Sequence, residues 1–430
     1  MKKNLSLTII IITTILAFSA FVSASAVFPG NNNLNEGSST EPYYVYTDSL
    51  QVRGQTELRH DFGNVFSADL TKGQLKAIQA LGIKTEPVGI FTIIEATQCR
   101  NDNQCSDGYY CDKTDAVRGM GVCVPIENGG EEPEPETRSC YPTTQTPWGI
   151  NKVNGGSGGN GIKVAVLDTG VMQEHLDLKN RIVACETKVT RFNPDRKDCE
   201  DGHGHGTHVA GTVLADAGSD GWGIYGVAPE AQLIAVKVCD RRGSCYGDDI
   251  AAGINYAVTA GANIISMSLG GSSLSSLEKN AIDNAVSQGV LVVAAAGNSG
   301  PNLNTINYPA AYHKVVSVAA IDVNDRVPDF SSRGINADEF VAGQDRYMEL
   351  AAPGVSVYST LNNGCYGTAS GTSMAAPHVS GLAAKLWQQD AVTTRNYLQN
   401  LAQGHDITQG HHASEGYDPA SGFGLPVATS

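Results

Sequence analysis

Residues 163–171 read Lys-Val-Ala-Val-Leu-Asp-Thr-Gly-Val. The run 163–167 is apolar and β-branched, the pattern of a strand buried on both faces of a parallel sheet. Asp168 follows at once and so stands at the strand's carboxyl end, where open α/β sheets hold their ligands. Further strand patterns lie at 233–238, 264–267, 290–295, 315–320 and 349–352, with helical ones at 249–260 and 276–288. From about Ser139 this alternation predicts one α/β domain, a doubly wound, mostly parallel sheet with helices on both faces. An isolated aspartate after a strand serves as a turn or cap residue. The meaning of Asp168 therefore depends on partners elsewhere in the chain.

Three other stretches supply them. Residues 370–378 read Ser-Gly-Thr-Ser-Met-Ala-Ala-Pro-His, with Gly367 and Gly371 allowing a tight turn. Ala375, Val379, Leu382, Ala383 and Leu386 recur at helical spacing, which puts Ser373 at a helix N-terminus. There the backbone N–H groups lack intrahelical partners and the dipole favours negative charge, a tetrahedral oxyanion included. His205 lies in Asp-Gly-His-Gly-His-Gly-Thr-His-Val-Ala-Gly at 201–211. Three histidines there raise the question of a metal, but no carboxylate or cysteine pattern completes such a site. Asn298 lies in Ala-Ala-Ala-Gly-Asn-Ser-Gly at 294–300, after a strand. Serine is a poor nucleophile until a base takes its proton. Histidine does so near neutral pH, and a buried aspartate holds its tautomer. A side-chain amide and a backbone N–H then hold the oxyanion. The order Asp168, His205, Ser373 is not the Ser, Asp, His order of an α/β-hydrolase, and no G-x-S-x-G elbow surrounds Ser373.

Net charge is −15 without a basic block, which excludes a nucleic-acid-binding class. Ten cysteines fit an oxidising compartment. Lys2 and Lys3, an apolar run at 5–22 and Ala-Ser-Ala at 24–26 read as a secretory signal cut after Ala26, a retained anchor being the alternative. No other stretch is long and apolar enough to span a membrane.

Residues 27–41 form a polar spacer. A small α+β ferredoxin-like unit follows, with strands at 43–47, 62–70, 83–88 and 91–95. Its helix runs from a Thr71/Gln74 capping box through Ala80. Cys99, Cys105, Cys111 and Cys123 lie among Asn, Asp and Gly without the C-x2-C pairs of zinc sites. They read as a disulfide-stapled module whose pairing stays open. Residues 127–138, rich in Gly, Glu and Pro, read as an extended acidic linker.

The combined motifs resemble the subtilisin-like serine proteases, or subtilases. The blocks concerned are 164–171, 205–211 (His-Gly-Thr-His-Val-Ala-Gly), 226–229 (Gly-Val-Ala-Pro), 266–270 (Ser-Met-Ser-Leu-Gly), 295–298 and 371–378. Gly-Ile-Tyr-Gly-Val-Ala-Pro at 223–229 is similar to the secreted, cold-adapted and sphericase-like bacterial subtilisins. The resemblance covers roughly 140–430 and implies a secreted, monomeric, autoprocessed serine endopeptidase acting on proteins and peptides, with Asp168, His205 and Ser373 as triad. The domains are then a signal (1–26), a propeptide serving as intramolecular inhibitor and chaperone (27–97, core 42–97) and, with no place in the family's ordinary pattern, a cysteine-rich module (98–125). A linker (126–139) and the peptidase domain (140–430) complete them. The maturation cut is left open between the neighbourhoods of Thr97–Gln98 and Arg138–Ser139. By resemblance, Ser268, Leu269 and Gly270 pair with substrate and wall the P1 pocket. Ala295, Ala296 and Gly297 form its other wall, Asn307 lies near its floor, and Tyr246 borders P4. The absence of an acidic cluster on these walls implies broad specificity with a preference for apolar P1 residues. The family commonly binds calcium, here through Asp177, with Asp216 and Asp220 in the following loop; Gln145 stands one place off the family's N-terminal ligand. Cys185 and Cys199, spanning a loop before the His205 motif, are paired, as are Cys239 and Cys245. Cys140 and Cys365 remain, either joined or free. A catalytically silent, inhibitory family member is the competing reading, against which the intact triad stands.

Overall fold

Seven strands, every neighbouring pair parallel, build the main sheet in the computed structural model. Their spatial order is Ile182–Thr187, Gln232–Lys237, Lys163–Asp168, Ile264–Met267, Leu291–Ala295, Val316–Ile321 and Leu350–Pro353. The structure describes residues 39–94, 98–99, 109–112, 121–125, 140–190, 198–219, 221–337 and 339–429. The signal-like N-terminal stretch, the acidic linker, Asp220 and the bonds at Thr97–Gln98 and Arg138–Ser139 lie outside these. Among the described residues no helix is long and apolar enough to cross a membrane.

The chain divides into two compact units between Glu86 and Pro87. In the first, strands order as Glu57–Asp61, Phe66–Leu70, Glu41–Val45 and Thr85–Pro87. Val45, Val52, Phe66, Ala68, Leu70 and Ile78 form its core. The capping box is present at the start of helix Lys72–Ala80: Thr71 Oγ1 accepts from Gln74 N, and Gln74 Oε1 from Thr71 N. The strand expected over 62–70 begins only at Phe66, because Phe62 and Val65 close a turn. Glu57–Asp61 is a strand that its polar sequence does not announce; ladder bonds hold it, not burial.

In the second unit Lys163–Asp168 is the pivot of the sheet. Alternate residues of a strand face opposite sides. A Cβ added at Gly253, on helix Gly247–Thr259, would touch Leu167 Cδ2, so that helix covers one face. Asp168, the next residue, reaches His205 at the start of helix His205–Leu214, which lies on the other. Helix Thr372–Lys385 packs along that second helix, and Ser276–Ser287 packs along the first. The helix holding Ser373 approaches through Gly381, where a Cβ would come within 2.5 Å of Val227 Cβ.

Two elements differ from the sequence expectation. Ile182–Thr187 is an unpredicted edge strand; it pairs on one side only and is half-exposed, so it lacks the apolar run of its neighbours. The strand expected at 91–95 forms at Ile90–Ile93 but is not part of the first unit's sheet. It is the middle strand of a separate antiparallel sheet, between Ser244–Tyr246 and Leu269–Gly270. Disulfides join Cys185 to Cys199, Cys239 to Cys245 and Cys140 to Cys365. In the cysteine-rich module, Gln98–Cys99, Gly121–Pro125 and Tyr109–Asp112 form a small antiparallel sheet.

Candidate active site

Asp168 closes the pivot strand, and its main-chain oxygen accepts from both Val238 N and Cys239 N of the neighbouring strand's end. Its side chain is buried, and Oδ1 lies 2.7 Å from His205 Nδ1. That contact places the proton on Nδ1 and leaves Nε2 as the basic nitrogen. His205 itself opens a helix whose preceding residue, Gly204, has φ 110°. The position needs glycine, since left-handed backbone is costly for other residues.

One buried carboxylate ties these two groups together. Asp201 Oδ1 accepts from Thr169 Oγ1, His203 N and Gly204 N, while Oδ2 accepts from Thr207 N and Thr207 Oγ1. Thr169 follows Asp168, and Gly204 and Thr207 flank His205. Burial opposes the charge of Asp201, but its hydrogen bonds from Gly204, Thr207 and His203 together outweigh burial and hold its pKa below the ordinary value. Lys237, opposite Asp168 in the ladder, donates to Thr169 O. Burial lowers its pKa, and the charges of Asp201, Asp168 and Asp240 offset part of that.

Two further buried histidines near the site, His208 and His378, have lowered pKa values. Burial lowers His208 to about 3, with the His205 charge adding to the effect; His208 Nε2 bonds Val357 O and Gly367 O. Burial lowers His378 to about 4, and its Nδ1 bonds Met374 O.

Ser373 is the second residue of its helix and fully buried. Pro377 stands four places on and has no N–H to give to Ser373 O. That carbonyl instead accepts from Ser268 Oγ at 2.8 Å, and Ser373 Oγ donates to Ser268 O at 3.0 Å. The exchange fastens the serine to the strand that the resemblance assigns to substrate. Asn298 Oδ1 accepts from Thr372 N and Thr372 Oγ1. This fixes the amide so that its buried Nδ2, which makes no hydrogen bond among the described residues, is the group presented beside Ser373.

The pocket residues also come together. Asn307 N donates to Ala296 O, and a Cβ at Gly297 would fall 2.1 Å from Asn307 Oδ1. Across the gap, a Cβ at Gly270 would fall 2.9 Å from Asn307 Cβ. Ala295 and Ala296 are buried behind them. Tyr246 pairs with Ile90 in the three-stranded sheet, with Leu269 and Gly270 on its far edge. Gly243, Ser244 and Cys245 form the rest of the second edge, which sequence reasoning misses. A run of Gly, Ser and Cys carries no periodicity to reveal a strand.

Asp177 is buried, and its Oδ2 accepts from Ile224 N at 2.8 Å. Burial raises its pKa, and Asp216 raises it further, against the hydrogen bonds from Ile224 and Tyr366. The loop leaves room for its carboxylate only because residue 223 is glycine: a Cβ there would lie 1.9 Å from Oδ1. Gln145 reaches the same loop, its Nε2 donating to Gly221 O. These oxygen-rich groups fit a calcium ion. Asp216 lies in the same loop, where its Oδ2 accepts from Arg181 Nε at 2.8 Å and its Oδ1 from Gly218 N.

A carboxylate-held imidazole, a serine at a helix N-terminus and a buried amide with its Nδ2 unpartnered among the described residues can together perform acyl transfer on a carbonyl. Comparison with known proteins agrees. Residues 159–417 match the model of the subtilase family. A subtilisin from Bacillus sp. (strain TA39) is 45% identical over 320 residues, 70% of this chain and 76% of its own. Among solved structures, sphericase superposes with a TM-score of 0.64 at 48% identity, covering 67% of this chain and 99% of its own. The S41 psychrophilic protease gives 0.63 at 46%, with the same coverage. The fold and site define a serine endopeptidase. The chain belongs to the subtilase family.

Asp201→Asn is expected to lower kcat by about 10–100-fold, because the His205 loop and the end of the Asp168 strand lose their shared acceptor. KM for a chromogenic peptide should change little. The native pKa of Asp201 is lowered, so its contribution to stability is present above the ordinary carboxylate pKa and is lost as pH falls through the native value. Urea titrations should therefore show the D201N variant less stable than wild type at neutral pH, with a gap that closes in acid.

Proposed function

We propose that Ser373 Oγ attacks the substrate carbonyl carbon while His205 Nε2 takes its proton. Asp168 holds His205 Nδ1–H throughout and stabilises the imidazolium. The oxyanion is bound by Asn298 Nδ2 and by the Ser373 N–H at the helix start. His205 then returns the proton to the leaving amine, and water releases the acyl group by the same steps in reverse. One observation carries this reading above the rest: the buried 2.7 Å contact of Asp168 with His205, on a helix packed along the one that presents Ser373.

Substrate lies extended between Gly243–Tyr246 and Ser268–Gly270, adding a strand to both edges. The P1 pocket lies between Gly270, Gly297 and Asn307 and takes apolar side chains. The enzyme is made as a secreted zymogen whose propeptide inhibits it until cleaved. The support is the run of the chain's own residues 90–93 through this groove, together with the signal-like N-terminus. Asp177 and Gln145, beside Gly221, would hold calcium, which would supply a positive charge against the buried carboxylate.

Asn298→Ala is expected to lower kcat by about 10²–10³, the loss known for removing such a donor from a subtilisin. KM should hold, and an unchanged kcat would remove Asn298 from the site. Chelation of calcium is expected to lower stability by about 3 kcal/mol relative to calcium at a hundredfold its dissociation constant. Asp177→Ala should abolish that calcium dependence in thermal unfolding. A calcium response equal to that of wild type would contradict the ligand assignment.

A further inference from the structure

We infer that the chain is cut between Ile94 and Glu95, so that the cysteine-rich module at 98–125 stays on the mature enzyme as an N-terminal extension. The inference rests on the peptidase reading above and fixes where that chemistry falls on this chain.

The groove holds a defined register of the chain's own backbone. Gly247 N donates to Gly89 O at 2.9 Å. Tyr246, Cys245 and Ser244 pair with Ile90, Phe91 and Thr92 on one edge. Gly270 and Leu269 pair with Thr92 and Ile93 on the other. Ile93 N donates to Gly243 O at 3.1 Å, and Ile94 N to Ser268 O at 3.2 Å. Main-chain bonds on both edges are how an extended peptide is held for reading.

The last of those bonds sets the position of the nucleophile. Ser268 O accepts from Ile94 N and also from Ser373 Oγ, at 3.0 Å. Two donors on one oxygen place Ile94 beside the serine. The next electrophilic carbon along the chain is the carbonyl of Ile94.

Side chains agree with the backbone. Phe91 is 1% and Ile94 6% exposed, whereas Ile90 is 57% exposed. Phe91 lies on Gly271, where a Cβ would come 2.8 Å from its ring. Ile94 Cδ1 lies on Gly270, where a Cβ would come within 2.6 Å, beside Asn307. The two pockets are three residues apart, and both are filled by apolar groups. A cut after Thr97 would require the strand to slide by three residues, withdrawing Phe91 and Ile94 from the pockets that fit them. A cut near Arg138 would require a different segment in the same groove.

The step balances with water alone. Ser373 Oγ bonds to the Ile94 carbonyl carbon, its proton passes to His205, and the bond to the Glu95 nitrogen breaks as that nitrogen receives the proton. Water then frees Ile94 as a carboxylate. The module at 98–125 remains covalently joined to the peptidase domain through the linker.

The test is a time course of the purified precursor, with N-terminal sequencing and intact mass of the first product. Glu95 is the expected first residue. Ile94→Pro removes the N–H that Ser268 O holds and should slow conversion by about tenfold or more. A first N-terminus at Gln98 or Ser139, or unslowed cutting of the proline variant at the same bond, overturns the inference. A precursor that hydrolyses a chromogenic peptide yet stays intact overturns it and leaves the peptidase reading standing. A precursor that neither matures nor hydrolyses the peptide overturns both.

Discussion

The buried hydrogen bond between Asp168 and His205 is the point at which sheet and helix layers must agree. Its 2.7 Å length requires the pivot strand to end one residue after Leu167, so that Leu167 faces one helix layer and Asp168 the other. It also requires the His205 helix to begin at a residue that follows a left-handed glycine. Asp201 supplies the common anchor, taking donors from both sides of the contact. A charge with those bonds is tolerable in the interior; without them its burial would be costly. In the helix that carries Ser373, Pro377 has no N–H to give, which leaves Ser373 O to the hydroxyl of Ser268. Ser373 is thereby coupled to the strand edge at Ser268–Gly270.

Much of this is legible in the amino-acid sequence alone. Buried parallel strands announce themselves as apolar runs, and Asp168, His205, Asn298 and Ser373 sit in short motifs whose chemistry is complete only together. What the sequence conceals is instructive. Asp201 heads the histidine motif but has no spacing signal of its own, because its partners are mostly backbone N–H groups of the kind nearly every residue carries. The edge strand Ile182–Thr187 and the groove edge Ser244–Tyr246 are held by ladder bonds on a partner strand, which leave no periodic trace. Asp216 reads like Asp177 in sequence. Only geometry distinguishes a carboxylate neutralised by Arg181 from one left buried.

The segment 90–94 belongs to the same logic. Its apolar residues read equally well as a strand of the N-terminal unit or as a peptide in a groove, since both are extended chains with alternate burial. The glycines at 270 and 271 favour the groove, because each leaves the space that a side chain of the segment fills. On the proposed reading, substrate recognition and self-cleavage use one set of main-chain bonds.

The central assignment is Ser373 as a nucleophile activated by His205 and Asp168. Its most direct measurement is mass spectrometric mapping of the matured enzyme after reaction with a fluorophosphonate, with peptidase activity followed in parallel. A single adduct on Ser373, formed in step with loss of activity and absent from a His205→Ala variant, is the predicted result. An adduct on another residue, or full activity with Ser373 modified, would contradict it.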